Sequence, residues 1–282
     1  MPGTLFVVAT PIGNLEDVTI RALAVLKRVS VIAAEDTRHT ARLLARYAIE
    51  TPTTSLHEHN EHRKSASIVV RLEAGDDVAL VSDAGTPAVS DPGGRLIRAA
   101  IEAGIRVEPV PGPSAVTSAL VASGLPVDTF TFLGFPPTRS RDRDNWFDEL
   151  QRAGRTVVFF EAPHRIVRTL QDLKARIGDR PIAVARELTK KHEELVRGPI
   201  SAVLRGLENP IGEFTVVADV GDKTEILRGE PAGDADLMIE IGRVTDIEPR
   251  GRRLAIADLA RRHGRSPNDV YAAIERARKS LK

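Results

Sequence analysis

The sequence predicts an α/β fold made of two units and a small helical tail. Apolar runs of strand length alternate with helical stretches in the first half of the chain, and a second series of the same kind follows. A chain of 282 residues is long enough for two domains and a short appendage. We predict an N-terminal α/β domain at 1–122, a C-terminal α/β domain at 123–228, a linker at 229–249 and a basic helical tail at 250–282.

The first unit has four predicted strands separated by helices. The apolar, strand-like runs are residues 4–10, 29–36, 78–85 and 105–112. The helical stretches between them are residues 18–27, 63–74 and 94–103. Continuous apolar strands separated by helices are typical of a parallel sheet that is covered on both faces. Because ligands bind such sheets beyond the carboxyl ends of the strands, we expect the site there.

The second unit repeats this pattern less regularly. Its strand-like segments are residues 130–135, 156–162, 182–188 and 214–220, with a helical stretch at 164–177. Residues 136–147 are polar and rich in arginine, and we interpret them as a mobile loop. Arg139, Arg141 and Arg143 on this loop suit contacts with phosphate groups.

Positive charge is concentrated in the tail. Residues 250–282 carry ten Lys and Arg against three acids, a net charge of +7, whereas the rest of the chain carries −6. This asymmetry predicts a polyanionic partner, although a solvated pair of basic helices explains the charge equally well. The spacing of Ala260, Gly264 and Val270 is that of a helix-turn-helix, and Ser266 is placed to cap the second helix.

Several classes of site and of location are disfavoured by the composition. The chain has no cysteine, which excludes disulfides, thiolate metal sites and a cysteine nucleophile and fits a cytoplasmic protein. No apolar stretch approaches the roughly 18 residues needed to span a bilayer, and the N-terminus lacks the features of a signal peptide. His57, His59 and His62 are spaced like metal ligands, but their polar surroundings favour a solvated loop or a substrate-facing surface, so we expect no metal.

Six motifs at or near strand ends carry a family resemblance. In chain order they are ATPIGNLEDVTIRAL, AAEDTRHT, SDAGTPAVSDPG, PGPSAVTSAL, FFEAPHR and ARELTKKHEE. Together they resemble the tetrapyrrole methylase superfamily, the class III S-adenosylmethionine methyltransferases. The first turn, ATPIGN, lacks the glycine-rich GxGPGD pattern of the tetrapyrrole enzymes. It is more similar to the superfamily's ribosomal RNA small-subunit methyltransferase I branch.

The resemblance implies two αβα domains with S-adenosylmethionine bound in the cleft between them, and a homodimer. It also implies which residues meet the cofactor: Pro11, Asp83, Ala84, Gly85, Thr86, Ser114 and Ala115, with Phe160 and Ala185 as weaker assignments for the adenine. The implied reaction is 2′-O-methylation of a cytidine in the decoding region of 16S ribosomal RNA, within the small subunit.

Candidates for the chemistry lie in FEAPHR and ARELTKKHEE. A ribose hydroxyl is a weak nucleophile, so a proton acceptor or a cation beside the developing alkoxide helps the reaction. The catalytic candidates are Glu161, Arg186, Glu187, Lys190 and Lys191. The RNA-binding candidates are Arg38, Arg139, Arg141, Arg143, His164, Arg165, Arg261, Arg262 and Arg265. Because only 4% of the residues are aromatic, we expect RNA to be recognised by shape more than by base stacking.

Two alternatives remain open at this level. A tetrapyrrole C-methyltransferase shares the fold and the cofactor, and only the first turn, the basic loop and the basic tail argue against it. A non-catalytic RNA-binding assembly factor would have kept the fold but lost the cofactor. Strong RNA binding that falls steeply with salt would argue against the first alternative and for an RNA enzyme. Failure to bind S-adenosylmethionine would support the second alternative.

Overall fold

Two five-stranded sheets form the body of the protein in a computed structural model, which describes residues 1–207, 210–221, 237, 241, 256, 259–260 and 266–280. The first sheet contains β1 (Thr4–Val8), β2 (Val31–Ala34), β3 (Thr53–Ser55), β4 (Val78–Val81) and β5 (Arg106–Val110). All its strands are parallel, in the order β3-β2-β4-β1-β5. This confirms the predicted parallel sheet.

Helices cover both faces of the first sheet. They are α1 (Ile20–Arg28), α2 (Thr37–Arg46), α3 (Glu61–Glu73) and α4 (Gly94–Glu102). Alternate residues of each strand face opposite sides, as the pleat requires. On β1, Phe6 and Val8 pack with α1 and α2, whereas Leu5 and Val7 pack with α3 and α4. The apolar runs of β1, β2 and β4 are therefore buried on both sides, whereas the edge strand β5 is buried only at Val110.

The second sheet has a mixed topology. It contains β6 (Phe130–Phe132), β7 (Thr156–Glu161), β8 (Pro181–Arg186), β9 (Glu194–Pro199) and β10 (Phe214–Asp219). The order is β6-β7-β10-β8-β9. Only β6 and β7 are parallel neighbours; every other pair is antiparallel. The carboxyl ends of β6 and β7 therefore lie at one edge, with the start of β10 between the ends of β7 and β8.

The second sheet is also covered on both faces, but by helices from both halves of the chain. On one face pack α6 (Ser140–Ala153), α7 (Ile166–Ile177) and α8 (Ile200–Gly206). The other face is covered by α5 (Ala115–Ser123), whose Val116, Ala119 and Leu120 contact β7, β8 and β10. The predicted boundary at residue 122 assigns α5 to the first domain by sequence, whereas its packing joins it to the second sheet.

The prediction of a mobile loop at residues 136–147 is wrong, because α6 begins at Ser140. The frequent Arg and Asp residues obscured an amphipathic helix whose Trp146, Phe147 and Leu150 are buried against α7 and the second sheet. Burial of each of these side chains stabilises the fold by roughly 2 kcal/mol. The helix ends at Gly154, which adopts the left-handed conformation common at helix C-termini. Two further helices, α2 and α8, and two further strands, β3 and β9, were not predicted.

The described part of the tail forms a small separate core. The helix α9 (Pro267–Ser280) begins after Ser266. The Ser266 hydroxyl accepts a hydrogen bond from the Asp269 N–H at 3.1 Å, which confirms the predicted N-cap. Leu237 and Ile241, from the stretch interpreted as a linker, are helical and buried in the tail cluster with residues 256, 259, 260, 270, 273 and 274. None of the helices in the described ranges has the length and apolar character needed to cross a membrane.

Candidate functional site

A cleft of about 290 Å³ lies where the carboxyl ends of β1 and β4 meet the second sheet. One wall comes from the turns after these two strands and from the start of α5. The other wall comes from the loops after β6 and β8, from the carboxyl end of β7 and from the start of β10. The lining residues are Ile12, Ala84, Gly85, Thr86, Val89, Ser90, Asp91, Ser114, Ala115, Val116, Phe135, Phe160, Leu188, Glu213, Phe214 and Thr215.

Backbone hydrogen bonds fix the first wall. Thr10 and Gly85 form an isolated antiparallel bridge, with N–H to O distances of 2.9 and 3.0 Å between them. The Thr10 hydroxyl also donates to the Ser82 carbonyl at 3.1 Å. Gly85 has a φ of +76°, which explains why a glycine occupies this position of the SDAGTP turn. The turns after β1 and β4 therefore form one rigid unit.

The first turn also contacts the second domain directly. A Cβ atom added to Gly13 would lie 2.8 Å from the Leu188 carbonyl oxygen and 2.5 Å from Cγ of Lys190. The Asn14 N–H donates to the Thr189 hydroxyl at 2.9 Å. Only a glycine permits this close approach of the two backbones. The loop after β8 is thereby held against the turn after β1 at the edge of the cleft.

Several acidic groups lie on the first-domain side of the cleft, and of these Asp91 lines the cleft itself. Oδ1 of Asp83 accepts from the Asp36 N–H at 3.0 Å, and Oε2 of Glu35 accepts from the Asp83 N–H at 3.3 Å. Burial, with the nearby Glu35 charge, raises the pKa of Asp91 to about 6. Burial also raises the pKa of Glu35. A cationic ligand in the cleft would offset this accumulation of negative charge.

A hydrogen-bonded ion cluster joins the loop after β8 to the start of β10. Nζ of Lys190 lies 3.0 Å from Oε1 of Glu187 and 3.1 Å from Oε2 of Glu213. Burial alone would lower the pKa of Lys190, but its bond to Glu187 and the Glu213 charge together raise it. Burial opposes the shift at Glu187 too, yet the Glu213 N–H and the Lys190 ammonium lower its pKa. Lys190 is therefore held as a cation, and Glu187 is a weak base.

The other catalytic candidates lie away from the cleft. Glu161 follows Phe160 on β7 and faces the opposite side of the sheet, where it is buried. Its carboxylate binds the Arg165 guanidinium at 2.6 Å and accepts from the Thr169 hydroxyl at 2.5 Å. A carboxylate occupied in this way holds Arg165 in place instead of facing a substrate in the cleft. Glu161 is the last residue of β7, and the turn that leads into α7 follows it.

The remaining two catalytic candidates are on the outside of the β8–β9 region. Arg186 donates to the Ile211 carbonyl at 2.8 Å and pairs with Glu194 at 3.3 Å. Lys191, the neighbour of Lys190, is exposed. Neither side chain lines the cleft. Among the five candidates, only Lys190 and Glu187 belong to the ion cluster, which reaches the cleft through Glu213; their own side chains do not line it.

Six of the nine predicted cofactor residues line the cleft: Ala84, Gly85, Thr86, Ser114, Ala115 and Phe160. Pro11 and Asp83 instead line a neighbouring cavity of about 260 Å³ on the α2 side of the Thr10–Gly85 bridge. Ala185 is buried beneath α5 and does not line the cleft. The sequence reading did not identify Asp91, Phe135, Leu188 or Glu213 as site residues. For Asp91, the Asp-Pro-Gly of the third motif was the available signal.

The RNA-binding candidates fall into three groups. Arg38 is exposed and pairs with its neighbour Asp36 at 2.7 Å, which lowers the pKa of Asp36. Arg139 and Arg141 are exposed at the start of α6, whereas Arg143, His164 and Arg165 line a pocket between α6 and α7. Arg143, expected on a mobile loop, is instead fixed on α6 by Asp172 at 3.0 Å. Arg261, Arg262 and Arg265 lie outside the described residues.

Two αβα units with a ligand-sized cleft at the strand ends define a two-domain α/β protein with a candidate ligand site. The chain belongs to the tetrapyrrole methylase family: the family described as "Tetrapyrrole (Corrin/Porphyrin) Methylases" matches residues 4–204. Within it, the chain groups with relatives named "Ribosomal RNA small subunit methyltransferase I". The relative from Pseudomonas aeruginosa is 50% identical over 247 residues, covering 81% of this chain and 88% of its own. That from Haemophilus influenzae is 41% identical and covers 96% of each chain.

Solved structures share the fold. The uroporphyrin-III C-methyltransferase from Thermus thermophilus, complexed with S-adenosylhomocysteine, superposes with a TM-score of 0.55 at 21% identity, covering 77% of this chain and 98% of that one. A diphthine synthase superposes with a TM-score of 0.59 at 16% identity, covering 77% and 90%. At these identities the likeness concerns the fold alone.

Proposed function

We propose that this protein transfers a methyl group from S-adenosylmethionine to the 2′-hydroxyl of a cytidine in the decoding region of 16S ribosomal RNA. The observation that carries the proposal is the cleft, since the SDAGTP and PGPSA motifs supply adjoining parts of its wall through Ala84–Thr86 and Ser114–Ala115. Family membership supports the methyl transfer, and the relatives' shared name supports ribosomal RNA as the substrate.

The cleft residues fit this cofactor. Ser114 makes no side-chain cap on α5, so the first-turn N–H groups are available to a carboxylate. Phe160 and Phe135, with ring centroids 5.3 Å apart, provide an aromatic surface for the adenine. The Asp91 carboxylate supplies negative charge opposite the cationic groups of S-adenosylmethionine. When bound, S-adenosylmethionine supplies a methyl group that its sulfonium already activates.

The protein's remaining tasks are to align the ribose oxygen, to exclude water and to manage the hydroxyl proton. Lys190 is the group we assign to the oxygen, because Glu187 and Glu213 hold its ammonium at the edge of the cleft. A fixed cation there stabilises the negative charge that develops on the ribose oxygen as its proton leaves. Glu161 is reassigned from the chemistry to positioning Arg165.

The test is methyl transfer from labelled S-adenosylmethionine to small ribosomal subunits isolated from cells that lack this protein. We expect 2′-O-methylcytidine as the labelled nucleoside. Subunits from cells that contain the protein are already modified, and as a control they should accept no label. Label on a base, or no label on RNA at all, would contradict the proposal. Transfer to a precorrin-like macrocycle would then establish the tetrapyrrole alternative.

A further inference from the structure

A second pocket, of about 500 Å³, lies between α6 and α7 and is separate from the cleft. We name it the arginine pocket. Its lining includes four guanidinium groups, one imidazole and two carboxylates, together with small polar residues at the start of α6 and in the loop before it. These lining residues are Arg143, Arg165, Arg168, Arg176, His164, Asp144, Asp172, Thr138 and Ser140. The positive groups therefore outnumber the negative ones.

Two of the arginines form the walls of the arginine pocket. Arg143 binds Asp172 at 3.0 Å and the Thr169 hydroxyl at 2.8 Å, linking α6 to α7. Arg176 pairs with Asp144 and with Asp148, and it links the same two helices. Both guanidinium carbons lie 5.1 Å from the centre of the Phe147 ring. These contacts fix the shape of the pocket and neutralise the charges of its walls.

The other two arginines leave donor capacity for a ligand. Arg165 is anchored by Glu161 and by the Pro136 carbonyl at 3.1 Å, and 21% of its side chain remains exposed where it lines the pocket. Arg168 is exposed, and within the described part of the chain its side chain forms no ion pair or hydrogen bond. The uncompensated charge of the pocket is therefore concentrated at the start of α7, where the helix dipole also favours an anion.

The arginine pocket lies beside the cleft. The loop after β6 runs from Phe135, which lines the cleft, to Pro137, which lines the pocket. Phe160, near the carboxyl end of β7, lines the cleft, and the loop after β7 leads on to His164 in the pocket. Because β6 and β7 are parallel neighbours, both loops leave the same edge of the second sheet. A nucleic-acid strand with one ribose in the cleft can therefore reach the pocket with a neighbouring part of its backbone.

We propose that the arginine pocket binds a backbone phosphodiester of the RNA substrate, with Arg165 and Arg168 donating to its oxygens. Guanidinium groups match phosphate geometry, and such contacts fix the register of a nucleic acid without reading its sequence. The pocket thus sets which ribose enters the cleft once the strand is bound. This inference rests on the proposed RNA methyltransferase function.

The experiment compares Arg168→Gln with Arg98→Gln, which removes the same charge from an exposed position on α4. Binding of a fluorescent small-subunit RNA fragment is measured by anisotropy at several salt concentrations. Loss of one phosphate contact should weaken binding about tenfold for Arg168→Gln and reduce the salt slope by about 1. Cofactor affinity by calorimetry should stay at the wild-type value, and Arg98→Gln should match the wild type in both assays.

Unchanged RNA affinity and salt slope for Arg168→Gln, or equal losses in both variants, would overturn the inference. Displacement of RNA by low millimolar inorganic phosphate would also overturn it, because the pocket would then be a small-anion site. RNA binding is measured without turnover, so the two proposals can fail separately. A wild-type protein that methylates no RNA, but whose RNA binding depends on Arg168, refutes only the proposed function.

Discussion

Asp91→Asn should have opposite effects on the free protein and on its cofactor affinity. Asp91 lines the cleft with its carboxyl partly buried near Glu35 and Asp83, and its pKa is raised from 3.8 to about 6. A raised carboxyl pKa means that the folded protein holds the proton more tightly than the unfolded chain. The stability from the neutral form is fully present below about pH 4 and is lost as the pH rises through 6.

The magnitude follows from the shift. The full difference in pKa corresponds to about 3 kcal/mol, and partial solvent exposure reduces it to about 1 kcal/mol. Because asparagine is uncharged and has a similar shape, the variant should gain about 1 kcal/mol in unfolding free energy at pH 7.5. That corresponds to a rise of about 2–4 °C in Tm for a chain of this size. Its stability should also vary less between pH 4 and pH 7 than that of the wild type.

Cofactor binding should change in the other direction. The Asp91 carboxylate attracts the positive charge of S-adenosylmethionine, and a charge pair at the edge of water is worth about 1–2 kcal/mol. Affinity for S-adenosylmethionine should therefore fall by roughly five- to thirtyfold. The loss should be smaller for S-adenosylhomocysteine, which lacks the sulfonium charge.

The assays are thermal unfolding across pH and calorimetric titration with both ligands. Asp128→Asn, at an exposed position before β6, is the matched control and should leave every value unchanged. A free Asp91→Asn protein that is less stable than the wild type at pH 7.5 would refute the electrostatic reasoning. Equal losses of affinity for both ligands would show that Asp91 does not sense the sulfonium.

Three further substitutions separate structural roles from chemical ones. Glu161→Gln leaves the Arg165 guanidinium without its charge partner and should lower the unfolding free energy, measured by urea denaturation, by about 3 kcal/mol. Slower methyl transfer at unchanged stability would instead show that Glu161 acts in the chemistry. Lys190→Met should lower kcat about 100-fold with little change in cofactor affinity. Lys191→Met is the control and should behave as wild type. Equal kcat values for the two variants would show that Lys190 has no role in the mechanism. Asp83→Asn keeps a side-chain oxygen that can accept the hydrogen bond from the Asp36 N–H, but it loses the negative charge. Cofactor affinity, measured by calorimetry, should therefore fall about fivefold at nearly constant Tm. An unchanged affinity would show that Asp83 does not contribute to the cofactor site.

Features that depend on local sequence pattern were predicted well. The strands β1, β2 and β4 follow from apolar runs, because a strand buried on both faces carries apolar side chains on both. The edge strand β5 was also predicted, although only its Val110 is buried. The turns of SDAGTP and PGPSA were also placed at the correct strand ends. The prediction failed at α6, where only Trp146, Phe147 and Leu150 mark the buried face of a strongly polar helix.

Features that depend on distant contacts were not accessible. The partner of Arg143 is Asp172, 29 residues away on α7, and no local pattern predicts that pair. The packing of α5 on the second sheet is equally non-local. The side of the sheet that Glu161 faces could have been predicted from the sequence, however. Once Phe160 is assigned to the cleft, the alternation of a strand directs the next side chain to the opposite face.

The position of α5 has a consequence for how the chain folds during synthesis. Its Val116, Ala119 and Leu120 become covered only when β7, β8 and β10 have formed, and β10 ends at Asp219. At ordinary translation rates the ribosome adds the intervening residues in about 5–20 s. Throughout that interval the first sheet can be complete, while the apolar side of α5 stays open to solvent and to chaperones. Formation of the second sheet then covers this surface and completes the cleft in the same step.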